Sequence, residues 1–229
     1  MGMLDEADKE QLVKIFTEEL GDDVTIVLFG QEESPLGPPS HECQFCTDTR
    51  EFVEELAQLS EKITVKNYDF YKDADKVAIY GIDKIPAMAL LGPDEWDPGI
   101  RFYGIPAGYE AATLVRDLIN LSKRDHGLSQ ETVKELEQLE NDVHMQVFVT
   151  PTCPYCPRAV LLAHQMAMAS PHVRSDGVEV SEFPHLAQRY DVMGVPKTVL
   201  NEKVEFVGAM TEKPVLAFVK QAAAEAAVS

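Results

Sequence analysis

The four cysteines of this 229-residue chain form two Cys-X-X-Cys pairs, Cys43 with Cys46 and Cys153 with Cys156. Cysteine thiolates either ligate a soft metal ion or exchange electrons through a reversible disulfide. Two intervening residues bring the second sulfur back to the first within one helical turn, close enough to resolve a mixed disulfide. The cysteines therefore predict either two redox-active dithiols or one zinc site built from four thiolates.

The sequence around each pair repeats at an offset of 110 residues. Tyr80 and Pro86 follow the first pair, and Tyr190 and Pro196 follow the second, so that each first cysteine lies 43 residues before a proline. An aromatic-X-Gly element follows in each half, and the first half carries about six extra residues, which we place within 92–99. This shared spacing indicates an internal duplication. It argues against zinc, because a zinc ribbon separates its two pairs by far fewer residues.

Apolar patterning gives both halves the element order α-β-α-β-α-β-β-α. Buried strands are predicted over 24–29 and 143–149, each leading towards a cysteine pair. Helices follow the pairs, with the second predicted over 153–169, and a short strand is predicted over 178–180. This order predicts α/β units, each with a central sheet covered by helices on both faces. The polar stretch 123–127 ends in glycine and suits a joint between the units, and Ser129 can cap the helix that follows.

Composition excludes several classes of partner. The chain carries 39 acidic and 20 basic residues, a formal net charge of −19, and therefore lacks the Lys/Arg footprint that nucleic acid or an anionic membrane requires. No run of apolar residues is long enough for a transmembrane helix, and the acidic N-terminus does not resemble a secretory signal. We therefore predict a cytoplasmic protein, whose few cysteines are catalytic or metal-binding rather than structural.

These features resemble the thioredoxin fold, in which a strand runs into Cys-X-X-Cys at the start of a helix and an aliphatic-proline pair follows some 40 residues later. The Cys-Pro-Tyr-Cys sequence of the second pair is typical of glutaredoxins. Two such units in one chain resemble the protein disulfide oxidoreductases of thermophilic archaea and bacteria, also called glutaredoxin-like proteins. The resemblance implies two tandem thioredoxin-fold units, 1–124 and 125–229, each a central mixed β-sheet flanked by helices.

The resemblance assigns a role to each cysteine. A free thiol has a pKa of about 8.5, and a helix N-terminus stabilises the thiolate. Cys43 and Cys153 are therefore the expected nucleophiles, and Cys46 and Cys156 the resolving partners. Pro154 fits an early helical position, where its missing N–H costs little. Thioredoxins carry a buried aspartate on the strand before the motif. Because neither corresponding strand here contains an acidic residue, the sequence leaves the proton acceptor open.

Residues near the cysteines are expected to contact substrate. The resemblance places a cis-proline beside each motif, with the preceding residue lining the substrate groove, and aromatic residues within the motifs either pack over them or touch substrate. The expected substrate-binding residues are Phe45, Ile85, Pro86, Tyr155, Val195 and Pro196. His41, Arg158 and Lys197 either add positive potential near a cysteine or are surface residues without a catalytic role. Met166, Met168 and Met193 are predicted to fill the core.

The resemblance implies a protein dithiol–disulfide oxidoreductase that reduces, oxidises or isomerises disulfides. It needs no bound organic cofactor, because redox-active disulfides carry the electrons, and its implied reductant is a thioredoxin-reductase-like flavoprotein that uses NAD(P)H. The alternative is an electron relay to a peroxidase, with a peroxiredoxin as partner. That alternative comes from a similarity to the N-terminal part of alkyl hydroperoxide reductase flavoproteins, which typically keeps one cysteine pair.

Overall fold

The protein, described here from a computed structural model, is defined over residues 3–32 and 43–227. Helices and strands alternate in the predicted order. The helices are α1 (Glu6–Glu19), α2 (Cys46–Ala57), α3 (Ala74–Tyr80), α4 (Tyr109–Lys123), α5 (Gln130–Leu136), α6 (Cys156–Ala169), α7 (Pro184–Arg189) and α8 (Glu212–Ala226). The strands are β1 (Val24–Gly30), β2 (Ile63–Asp69), β3 (Ala87–Leu91), β4 (Ile100–Tyr103), β5 (Val143–Val149), β6 (Val173–Glu179), β7 (Lys197–Leu200) and β8 (Val204–Val207).

The strands form one sheet in the order β2-β1-β3-β4-β6-β5-β7-β8. Each half contributes four strands in the same mixed pattern, which confirms the predicted fold class of two thioredoxin-like α/β units. The halves do not, however, have separate sheets. β4 pairs in parallel with β6, with Ile100 opposite Ser175 and Tyr103 opposite Val178, and this pairing joins the two units edge to edge. The boundary at residues 124 and 125 stays a prediction.

The strand predicted over 178–180 is longer than expected, because β6 already begins at Val173. The first half of this strand contains polar residues, so apolar patterning does not predict it. Asp176 is nevertheless buried, because its carboxylate accepts hydrogen bonds from Arg174 Nε at 3.0 Å and meets His144 Nε2 at 2.6 Å. Burial opposes ionisation, but these two partners lower the pKa of Asp176 to about 2. A paired charge at the junction of the units thus replaces apolar packing.

Two other local predictions are confirmed. The loop between β3 and β4 covers 92–99, whereas the equivalent loop between β7 and β8 covers only 201–203, so the extra residues of the first half lie where the repeat placed them. Ser129 caps α5 by accepting a hydrogen bond from the Thr132 backbone N–H. Within the described ranges, no helix combines the length and apolar character needed to cross a membrane.

The units also pack through their helices. α4 of the first half lies against α6 of the second, and one apolar cluster extends through both halves, from Phe16 to Ala223. A fully buried polar pair, Asp117 Oδ2 and His164 Nδ1 at 2.6 Å, crosses this helix interface. The ring of His164 also stands edge-on against Phe102. The two halves therefore share their core as well as their sheet.

Candidate active sites

The two dithiols occupy equivalent positions at the ends of β1 and β5. Cys43 is disulfide-bonded to Cys46 and Cys153 to Cys156, with a Cα–Cα distance of 5.5 Å in both pairs. α2 and α6 begin at the second cysteine of each pair rather than the first. The predicted start of the second helix at residue 153 is therefore wrong by three residues. The first cysteine instead lies in the turn that precedes the helix N-terminus.

This shift also changes the role of proline in the second motif. Pro154, predicted at an early helical position, lies in the turn before α6, and Pro157 occupies the early helical position instead. A proline there costs little, because the first helical N–H groups lack intrahelical partners. The remaining free N–H groups of this first turn point towards the end of the helix where the disulfide lies, and they favour negative charge on a nearby sulfur.

Both predicted cis-prolines are confirmed: the Ile85–Pro86 and Val195–Pro196 bonds are cis. Cys153 Sγ lies 3.8 Å from the carbonyl oxygen of Val195, so the second dithiol lies directly beside the residue before its proline. Pro86 O accepts a hydrogen bond from the Gly104 N–H at 2.9 Å, and its counterpart Pro196 O accepts one from Gly208 at 2.8 Å. The duplication thus extends to the hydrogen bonds of each site.

The first dithiol borders a polar cavity. The Cys43 N–H donates to Gln31 Oε1 at 2.9 Å. Cys46 is buried against Gly30, where a Cβ atom would lie 3.5 Å from Sγ. A cavity of about 140 Å³ behind Cys46 is lined in part by Asn67 and Asp69. Burial raises the pKa of Asp69, but backbone N–H donors outweigh it and hold this pKa below its ordinary value, so Asp69 remains a fixed anion.

The second resolving cysteine is more deeply enclosed. Cys156 is 0% exposed, whereas Cys153 keeps 7% of its surface open. A thiol with no contact to water must release its proton to a group of the protein. β5 offers no acidic residue for this proton, whereas α4, the helix of the other half that packs against α6, carries a buried carboxyl.

This carboxyl is Glu110, in the first turn of α4. The Tyr109 N–H donates to the Pro151 carbonyl at 3.1 Å, so α4 starts beside the loop that leads into the second motif. Because Asp117 also meets His164 further along, the two helices run side by side in the same direction. Glu110 lies two helical turns before Asp117 on the same face of α4. On α6, the residue that follows Cys156 lies two turns before His164. The Glu110 carboxyl therefore lies level with the start of α6.

The environment of Glu110 favours its protonated form. Glu110 is buried, and neither carboxyl oxygen has a hydrogen-bond partner among the described residues. Burial raises the pKa of Glu110 to about 7. A carboxyl that titrates near neutral pH can both accept and return a proton under ordinary conditions. Glu110 is not among the residues predicted from the sequence, although a carboxylate four residues before Leu114, on the apolar face of α4, is a usable signal.

The predicted substrate residues differ in their exposure. Pro86 and Pro196 are buried, and Phe45, Ile85 and Val195 are half-buried. Tyr155 is 70% exposed, so it does not pack over its motif, and a substrate contact remains the prediction for it.

Three further expectations have different outcomes. Met193, predicted to be core, is 88% exposed, because it lies in the open loop before the second cis-proline. Lys197 is buried and its charge is engaged: Nζ donates to the Tyr190 carbonyl at 2.6 Å and pairs with Glu205 at 3.0 Å, so it does not serve Cys153. His41 lies outside the described residues.

The cysteine pairs do not converge on a common point. Each pair closes its own disulfide in its own half of the sheet. Over residues 3–32 and 43–227, no three His, Cys, Asp or Glu side chains are grouped as a metal site would require. The geometry of the cysteines is that of two separate redox pairs.

Gly108 lets α4 approach the second motif, and we expect its replacement by alanine to destabilise the protein. Its φ is +60°, and a Cβ atom would lie 2.3 Å from the Pro151 carbonyl oxygen. The combined strain should lower the free energy of unfolding by about 2 kcal/mol or more, measured by urea denaturation. The control is Gly194→Ala, where a Cβ meets nothing within 4 Å. Equal effects of the two substitutions would contradict the assigned contact.

Comparison with known proteins gives consistent matches. A family profile described as "Thioredoxin domain" matches residues 143–220. The chain is 32% identical to a protein disulfide oxidoreductase from Aeropyrum pernix, with a TM-score of 0.86, covering 98% of this chain and 96% of that one. It is 28% identical to a mutant of the alkylhydroperoxide reductase AhpF from Enterococcus faecalis, with a TM-score of 0.84 and coverage of 94% and 99%.

A curated relative extends well beyond the matched region. A protein named NADH dehydrogenase, from Ferdinandcohnia aciditolerans, is 28% identical over 170 residues, which is 74% of this chain and 30% of the relative. The chain thus spans less than a third of the length of this relative.

Proposed function

Because the chain belongs to the protein disulfide oxidoreductase family, we propose that it exchanges disulfides with protein substrates at both Cys-X-X-Cys sites. One observation carries this proposal: each cysteine pair closes a disulfide at the start of a helix, and each half has a cis X-Pro bond, the second of which lies next to Cys153. No metal or organic cofactor is needed in this reaction, since the sulfurs themselves carry the two electrons.

Reduction of a substrate disulfide proceeds in two exchanges. The thiolate of Cys153 attacks one substrate sulfur, the substrate S–S bond breaks, and the first substrate thiolate leaves. Cys156 then transfers its proton to the Glu110 carboxylate, and its thiolate attacks Cys153 Sγ. The Cys153–Cys156 disulfide forms and the second substrate thiolate leaves, taking up a proton from solvent or from Glu110. Two electrons pass from the dithiol to the substrate, and oxidation runs through the same steps in reverse.

Exposed apolar side chains around the second site are suited to an unfolded or extended protein segment. Tyr155 lies in the motif, Met193 precedes the cis-proline, and half-exposed Tyr109 follows the glycine that touches Pro151. These three side chains come from both halves of the chain. We include them with Val195 in the substrate surface.

The test is the reduction of insulin by dithiothreitol with each dithiol isolated in turn. The Cys43→Ser/Cys46→Ser and Cys153→Ser/Cys156→Ser variants should each retain part of the turnover, and the variant that lacks all four cysteines should have none. We expect the Cys153–Cys156 site to be the more active. Equal losses from Cys43→Ser and Cys153→Ser would contradict that asymmetry, and wild-type activity without any cysteine would contradict the function.

A relay to a peroxidase is the second candidate, supported by the similarity to the alkylhydroperoxide reductase AhpF. In that role the chain would pass electrons from an NAD(P)H-dependent flavoprotein of the thioredoxin-reductase type to a peroxiredoxin. Rapid reduction of a peroxiredoxin together with no turnover of insulin would favour the relay. For either role we propose a cytoplasmic location, with units divided at residues 124 and 125.

A further inference from the structure

Glu182 is a second carboxyl that crosses from one half of the chain to the other. It lies after β6 in the C-terminal half, and its Oε1 accepts the Ile105 N–H of the N-terminal half at 2.7 Å. Ile105 follows Gly104, whose N–H binds the carbonyl of the first cis-proline, Pro86. Glu182 therefore binds the residue next to the one that is hydrogen-bonded to the first cis-proline.

The backbone leaves room for this carboxyl by means of a glycine. Gly104 has a φ of +87°, and a Cβ atom there would lie 2.9 Å from Glu182 Oε1 and 2.8 Å from the Cβ of Glu179. Its counterpart Gly208 also has a positive φ but has nothing within 4 Å of a Cβ. The close approach is therefore specific to the first unit, where the other half of the chain supplies a carboxyl.

Among the described residues, the two charged groups that act on Glu182 are both acidic. Glu179 belongs to its own unit and binds the backbone N–H groups of Ser181 and Glu182. Asp48 belongs to the first turn of α2, two residues after Cys46. Burial, followed by these two carboxylates, raises the pKa of Glu182 to about 7, although the Ile105 N–H opposes the shift. Glu182 Oε2 is buried without a hydrogen-bond partner among the described residues, and so it has an oxygen free for a proton.

We propose that Glu182 holds and exchanges a proton for the Cys43–Cys46 dithiol, as a residue supplied by the opposite unit. When Cys43 carries a mixed disulfide, the Cys46 thiol gives its proton to the Glu182 carboxylate. The Cys46 thiolate then attacks Cys43 Sγ, the bond between Cys43 and the substrate breaks, and the substrate thiolate leaves. The proton returns when the site is next reduced.

This inference rests on the proposed exchange function and adds a reciprocity to it. The N-terminal half places Glu110 at the start of α6, and the C-terminal half places Glu182 beside the first site. Each dithiol then depends on the opposite unit for its buried carboxyl. In each unit, the acidic residue that β1 or β5 lacks is replaced by a carboxyl from the opposite unit.

The experiment is a thiol titration of one site at a time, followed by the ultraviolet absorbance of the thiolate. In the Cys153→Ser/Cys156→Ser background, Glu182→Gln should lower the midpoint for thiolate formation at the first dithiol by about one pH unit, because an ionised carboxylate no longer opposes it. Glutamine keeps an oxygen that can accept the Ile105 N–H. In the Cys43→Ser/Cys46→Ser background, the same substitution should leave the midpoint of the second dithiol unchanged.

Glu110→Gln is the reciprocal variant: it should move the midpoint of the second dithiol and leave that of the first unchanged. An unchanged first-site midpoint in Glu182→Gln would overturn the proposal. Equal shifts at both sites would also overturn it, because they would show a change of structure rather than a local proton exchange. The titration does not depend on any protein substrate, so a lack of insulin turnover would contradict the proposed function and leave this result interpretable.

Discussion

Replacing Cys156 by serine should convert the second site from a catalyst into a trap. In the Cys43→Ser/Cys46→Ser background, this variant still has the Cys153 thiolate, which attacks a substrate disulfide and then has no partner to release it. The protein should accumulate a mixed disulfide with one substrate molecule per chain, and turnover should fall on the order of 10³-fold or more. Mass spectrometry before and after dithiothreitol measures the adduct.

The matched control for this trap is Cys153→Ser in the same background. Its remaining thiol, Cys156, is 0% exposed, so a protein substrate cannot reach it and no adduct should form. Adducts of similar yield on both variants would contradict the assignment of Cys153 as nucleophile. The contrast depends on the burial of the two sulfurs and not on the reduction potential of the site.

Glu110→Gln should slow the closing of the second disulfide and at the same time stabilise the protein at alkaline pH. Without Glu110, the enclosed Cys156 thiol loses its proton acceptor, and the rate of resolution should fall about 10²-fold, within the usual range for general acid–base catalysis. Single-turnover release of substrate from the mixed disulfide measures this rate. The Cys43–Cys46 site should retain its rate, which provides the internal control.

The stability effect follows from the raised pKa of Glu110, about 7 compared with 4.5 for an ordinary glutamate. Folded and unfolded chains both bind this proton below about pH 4.5, so the substitution should have no effect there. Between about pH 4.5 and 7 the unfolded chain releases this proton while the folded chain still holds it, so the folded wild-type loses stability on the order of 3 kcal/mol by pH 7, whereas the glutamine variant does not. Urea denaturation at pH 5 and pH 8 measures the gain in the free energy of unfolding. An equal gain at both pH values would contradict this role.

The repeated spacing predicted the cysteines, the cis-prolines and the order of elements because these features are local or recur at a fixed offset. Glu110 and Glu182 carry no such signal. Glu110 lies 43 residues before Cys153 in the sequence, and Glu182 lies in the second half of the chain whereas its dithiol lies in the first. Only the pairing of β4 with β6 and the packing of α4 on α6 bring these carboxyls to the dithiols. A search for an acid on β1 or β5 could not find them.

The errors in strand and core prediction have the same origin. β6 begins with polar residues because Asp176 and Arg174 satisfy each other at the unit junction, and an apolar pattern does not detect a strand buried by charge pairing. The prediction of Met193 as core follows from residue type alone, whereas the side chain is exposed in the loop before the second cis-proline. Residue type and apolar patterning therefore do not predict the burial of a residue whose surroundings come from another unit or from an open loop.

In the part of the chain that the structure describes, the pairing of β4 with β6 leaves β2 and β8 as the open edges of an eight-stranded sheet. Dividing the chain between the units would uncover two more strands, each with a row of unpaired N–H and C=O groups and an apolar flank from the shared core. Such edges are templates for intermolecular pairing, so isolated halves should self-associate rather than persist as monomers. Duplication within a single chain thus protects these strands from aggregation as well as doubling the number of dithiols.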